Sequence, residues 1–189
     1  MSVMTGNLQE ATEEGIRWLL RHVGEDPDRE GLLDTPKRVA KAYKEMTEGY
    51  GIDISTILGV TFDVGNVDEM VVVKNLEFVS LCEHHLLPFV GVASVAYIPR
   101  ERVVGLSKIG RLVDAYSRRL QVQERLTTQI TSALDEFLDT KGSACLITAH
   151  HSCMGCRGVR KQSAQMVTSS LTGEFRDAEV RAEFLALVK

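Results

Sequence analysis

Met70-Val71-Val72-Val73-Lys74-Asn75-Leu76-Glu77-Phe78-Val79-Ser80-Leu81 is the stretch that decides the fold. It is rich in β-branched residues, which suit a pleated surface, and it predicts a strand. Val90 to Ile98, closed by Pro99, predicts a second. Downstream the period changes. Ile109, Leu112, Val113, Tyr116 and Leu120 fall on one helix face, and Val122, Leu126, Ile130, Ala133, Leu134 and Phe137 on another. Ala144 to Ala149 and Met166 to Phe175 predict two more strands. The order β-β-α-α-β-β, without alternating βα units, predicts an α+β fold: a four-stranded antiparallel sheet with helices on one face. The edges of such a sheet must be covered or paired with another subunit.

Upstream, Leu8, Ala11, Thr12, Gly15, Ile16, Leu19 and Val23 have helical spacing. Asp34-Thr35-Pro36 starts a second helix, continued by Val39, Ala40, Tyr43 and Thr47 and ended by Gly49-Tyr50-Gly51. A turn-rich stretch follows, so a boundary near residue 65 divides an N-terminal helical segment, 1–65, from a second domain, 66–189.

Composition bounds the function. The chain has 189 residues, 44% hydrophobic and 25% charged, as in an ordinary globular protein. Its start shows no basic-then-apolar leader, and its longest apolar run, Phe89 to Pro99, is about half a membrane span. Four cysteines make no disulfide scaffold, so a cytoplasmic protein is expected, with no membrane partner. A net charge of -4 argues against a nucleic-acid partner. Basic residues nevertheless cluster, from Arg100 to Arg125 and again at Arg157, Arg160 and Lys161, which fits a small polyanion or merely solvated helix faces.

The chemistry gathers in two segments, which hold most of the 5 histidines and 4 cysteines. Cys82-Glu83-His84-His85 follows the first strand of the sheet, and His150-His151-Ser152-Cys153-Met154-Gly155-Cys156 follows the third. Thiolate and imidazole are the ligands Zn²⁺ prefers, and one turn can present Cys82 and His85 to one ion. Cys153 or Cys156 can complete the site. Four protein ligands would make a closed, structural centre; three leave a position for water and point to metal-assisted hydrolysis, with a spare imidazole to move protons. Lys108 and Arg111, one turn apart at a helix start after Gly105-Leu106-Ser107, can face one anion. Glu124 can accept two hydrogen bonds from the N1-H and N2-H₂ edge of guanine, although by spacing alone it reads as a solvated helix residue.

Cys82-Glu83-His84-His85-Leu86-Leu87-Pro88-Phe89, Val95-Ala96-Tyr97-Ile98-Pro99, Gly105-Leu106-Ser107-Lys108, Arg118 to Thr127 and Arg157-Gly158-Val159 closely resemble GTP cyclohydrolase I; Asp34 to Ala40 resembles that family's N-terminal helical segment. The resemblance implies the tunnelling fold, in which β-β-α-α-β-β units join edge to edge, and a homodecamer with active sites between subunits. It implies conversion of GTP and water to 7,8-dihydroneopterin triphosphate and formate, the first step of folate and pterin synthesis. It implies zinc held by Cys82, His85 and Cys153. His151 and His84 would transfer protons, and Ser107 would sit by the ribose. Glu124 with Gln123 would anchor guanine. Lys108, Arg111 and Arg157 would hold the triphosphate, with Arg38 reaching in from a neighbour. The chain departs from the family at His150, Cys156 and Gln162-Ser163-Ala164, and Cys156 could compete with Cys153 for the metal or pair with it on oxidation. Two alternatives remain: a closed zinc or redox-sensing assembly module, and a related nitrile reductase using a nucleophilic cysteine and NADPH.

Overall fold

The computed structural model describes residues 8–63, 65 and 67–189. The chain's first seven residues, part of the start scanned for a leader, and Asn66, the first residue assigned to the second domain, lie outside them. Contacts divide the chain between Thr47 and Glu48, into Met1–Thr47 and Glu48–Lys189. The first unit holds helices α1, Leu8–His22, and α2, Thr35–Met46, with Pro36 in the first turn of α2 as the sequence suggests.

The second unit begins with a 3-10 turn, Glu48–Gly51, and a short helix, α3, Ile54–Leu58, whose cap Asp53 accepts from the Ser55 N–H at 3.0 Å. Strand β1, Thr61–Asp63, pairs antiparallel with β4, Arg102–Val104, as a small ribbon. Between them in sequence run the two long strands the β-branched runs predict, β2, Val71–Cys82, and β3, Pro88–Pro99. Helix α4, Leu106–Ser117, strand β5, Leu120–Gln121, and helix α5, Gln123–Leu138, follow. Then come β6, Thr140–His151, a single helical turn α6, Ser152–Gly155, β7, Met166–Leu171, a 3-10 turn, Gly173–Arg176, and a last helix α7, Ala178–Leu187.

The main sheet has the order β5-β2-β3-β6-β7. It has five strands, one more than the four the sequence reading gives. The addition is the two-residue β5, which joins β2 in parallel through Leu81↔Leu120 and Cys82↔Gln121. All other neighbours are antiparallel. Leu112, Leu126, Ile130 and Leu134 of α4 and α5 are fully buried with Phe89, Ile147 and Ala149 of the sheet. Each such large side chain contributes about 1.5–3 kcal/mol of hydrophobic stabilisation. A second cluster joins Ala96, Ile98 and Ala144, whose side chains alternate to the other face, to Phe175 and to Phe184 of α7. With both faces covered there, the far half of β3 is buried residue after residue from Ala93 to Pro99.

Candidate active site

Hairpin geometry and register bring the chemistry to one end of the sheet. The β2–β3 turn closes with the Cys82 N–H donating to the Leu87 carbonyl at 2.9 Å, and the His85 and Leu86 N–H groups fold back to the Cys82 carbonyl at 3.3 and 2.8 Å. This turn puts Cys82 and His85 on one side. Phe89 pairs with His151 across β3 and β6, so Cys153, two residues on, comes to the same end. The parallel contact of β5 with Cys82 delivers the first turn of α5, with Gln123 and Glu124, beside them.

Cys82, His85 and Cys153 each present a ligand atom, all within 4.8 Å of one another. Among the described residues this is the one such group, and neither His150 nor Cys156 belongs to it. The Cys82 sulfur lies 3.8 Å from Nδ1 of His85 and 3.9 Å from Nδ1 of His84. Burial, and after it the neighbouring Cys82 sulfur, pushes the Cys153 thiol above its ordinary value, against a weaker opposing pull from Arg157. Two thiols this close resist ionisation together; a soft divalent cation is what would stabilise both as thiolates. The donor set of two sulfurs and an imidazole suits zinc and leaves room for a fourth ligand. Cys145 takes no part: it is fully buried in the core, where burial drives its thiol far above the usual range.

His151 stacks on Phe89, ring centroids 4.6 Å apart and planes 7° from parallel. Its Nε2 lies 2.9 Å from Oε1 of Gln123. Burial holds its pKa below the usual histidine value, and the carboxylate of Glu124 acts in the other direction, so Glu124 is near enough to influence the ring. His150, on the opposite face of β6, pairs through Nε2 with Nε2 of Gln165 at 2.9 Å. Beside it a cavity of about 250 Å³ is lined by Val90, His150, His151, Ser152, Gly155, Cys156 and Gln162.

The remaining expected residues are placed as follows. Glu124 is exposed in the first turn of α5. Ser107 and Arg111 are exposed and Lys108 half-buried, all in the first two turns of α4. Among the described residues, Lys108, Arg111 and Arg157 have no carboxylate partner, which leaves their charge for an anion. Arg38, in the first unit, pairs with Asp34 at 3.1 Å. Gln123, in the same turn of α5 as Glu124, is 1% exposed, with its amide engaged inside the protein.

Two features escape the sequence reading. Phe89 is the platform under His151, and Glu83 grips Arg125 fork to fork at 2.7 and 2.8 Å. The only sequence signal for that pair is opposite charge on residues adjoining Cys82 and Glu124.

A family model described as GTP cyclohydrolase I matches residues 12–189. Proteins named GTP cyclohydrolase 1 are similar over most of their length. That of Deinococcus radiodurans is 53% identical across 97% of this chain and 83% of its own. That of Alkalilimnicola ehrlichii is 52% identical across 96% and 99%, and that of Wolinella succinogenes 51% across 95% and 96%.

Proposed function

The chain belongs to the GTP cyclohydrolase I family and is a hydrolase with GTP as its substrate, and from that premise we propose how its own residues divide the work. Cys82, His85 and Cys153 would hold a zinc ion, which would supply the Lewis acidity that activates water at neutral pH. Glu124 accepts the N1-H and N2-H₂ hydrogens of guanine and orients the base with its five-membered ring toward the cluster. His151 exchanges a proton with the nitrogen of that ring, and His84, beside the Cys82 sulfur, serves the ribose oxygen and the opened ring. Ser107 lies by the ribose during the rearrangement that precedes closure of the pterin. Lys108, Arg111 and Arg157 hold the triphosphate; the arginine forks match its oxygens. Arg38 reaches in from a neighbouring subunit of a homo-oligomer, a decamer in this reading. The products are formate and 7,8-dihydroneopterin triphosphate, which opens folate and pterin synthesis. Two reduced ligand thiols suit the cytoplasm; among the described residues no helix is long and apolar enough to cross a membrane.

The observation that carries this reading is the three-ligand group, with His151 two residues before Cys153 and stacked on Phe89. A closed structural centre would need a fourth protein ligand, and His150 and Cys156 stand outside the group. Incubation of purified protein with GTP, with and without a chelator, tests it. Release of formate and a fluorescent pterin that stops on chelation and returns with zinc supports it; full turnover in metal-free protein refutes it.

A further inference from the structure

The Gln123 amide has one possible orientation. Its Nε2 lies 3.2 Å from the Ile147 carbonyl oxygen, 3.0 Å from that of Met166 and 3.1 Å from Oγ1 of Thr168. Two of these partners can only accept, so the atom facing them is the NH₂ group; a flipped amide would set oxygen against oxygen in a dry interior. A proton count around Thr168 gives the same answer. Thr127 Oγ1 spends its hydrogen on the Gln123 carbonyl at 2.7 Å. The 2.7 Å contact between the Thr127 and Thr168 hydroxyls must then use the Thr168 hydrogen, which leaves Thr168 Oγ1 to accept from Gln123.

With Nε2 fixed, Oε1 is the atom 2.9 Å from His151 Nε2. An amide oxygen only accepts, so that imidazole nitrogen carries a hydrogen. A neutral ring has one, and its lone pair is therefore on Nδ1. Phe89 fixes the plane of the ring and Gln123 its rotation within that plane.

We propose that Gln123 is a positioning residue, which holds His151 as the Nε2–H tautomer and makes Nδ1 the nitrogen that accepts a proton, rather than a residue that contacts guanine. The inference rests on the proton-transfer role given to His151 above. It accounts for a glutamine that is buried beside the site while its neighbour Glu124 is exposed.

Solid-state NMR on zinc-loaded, ¹⁵N-histidine-labelled protein tests it at pH about 8, where the ring is neutral. The His151 signals are assigned by their loss in His151→Asn. Wild type is expected to show a protonated Nε2 and a bare Nδ1; a protonated Nδ1 overturns the proposal whether or not any Gln123 variant folds. Gln123→Met removes the acceptor and is expected to mix the tautomers and lower kcat at least about 10-fold, with KM for GTP little changed. A raised KM with unchanged kcat overturns the proposal in favour of direct contact with the base. Full formate release by His151→Asn refutes the role given to His151, and with it the catalytic half of the proposal; the tautomer signal is read separately, so the two failures are told apart.

Discussion

Glu83 stands between Cys82 and His84, and Arg125 follows Glu124, so their paired forks tie the turn bearing two candidate ligands to the turn bearing the candidate guanine anchor. The Arg125 hydrogen bond holds the Glu83 carboxyl below the usual carboxylate range. A depressed carboxylate contributes stability that is fully present above its unfolded value, about 4.3, and is lost as pH falls through its lower folded value. Arg125→Met is therefore expected to lower stability at neutral pH and to flatten its fall below pH about 4.3, read from urea midpoints. Parallel pH profiles for variant and wild type would show that the pair contributes nothing. The neighbouring Glu124 makes a separate prediction. In the proposed reading Glu124→Gln would lose a charge-assisted pair of hydrogen bonds to guanine, each worth about 1.5–3 kcal/mol, because one amide cannot accept at both positions. A rise of at least about 10-fold in KM for GTP is expected, and unchanged affinity would remove Glu124 from the site. At this scale the candidate ligands were legible because cysteine and histidine crowd two short segments. Gln123 was not, because Gln121, Gln123 and Glu124 look alike in a row, and only the helix turn sends one inward and the next outward.

The strands β2 and β3 and the helices α4 and α5 were readable because each has a long run of one period. β5 was not, since two residues carry no period and it forms only because β2 offers an edge. Helix α7 was missed for another reason: its one buried residue, Phe184, sets no stripe to read. The close approach of β3 to β6 hangs on Gly91. A Cβ there would stand 2.2 Å from the Thr148 carbonyl oxygen and 2.6 Å from the Ala149 Cβ, with little freedom in either neighbour to yield. Phe89 and His151, which make the stacked pair, are two residues along the same two strands. Gly91→Ala is thus expected to cost about 1–3 kcal/mol and to lower metal affinity together with thermal stability. Calorimetry and metal titration on the same preparation check this, and a variant with wild-type melting and metal content would show that the sheet absorbs the methyl group freely.

In the single chain, several apolar surfaces face solvent. On the sheet face opposite α4 and α5, Val79, Val90, Val92 and Val167 are 51%, 46%, 37% and 60% exposed. On α1, Leu8, Trp18 and Leu19 are 74%, 63% and 55% exposed. Among the described residues, strand β7 also leaves one edge of the main sheet unpaired. Apolar area of this kind and an open edge are what an oligomer covers. Sequence patterning exposed the edge but not the partner, because in the proposed oligomer the residues that meet across it would lie in different copies. Arg38 gives the sharpest form of the question. In the proposed reading it serves a neighbour's triphosphate, so one site draws on two subunits. At GTP well below KM, Arg38→Ala and Glu124→Gln should then each have little activity alone, yet complement when co-expressed and isolated as mixed oligomers through two tags. A subunit with an intact Glu124 beside one with an intact Arg38 makes a whole site, and random assembly at equal amounts gives roughly a quarter of the sites in that form. Formate release recovering toward that fraction supports shared sites. If Arg38 instead serves its own subunit, every site in the mixture carries one defect or the other, and activity stays at the level of the separate variants.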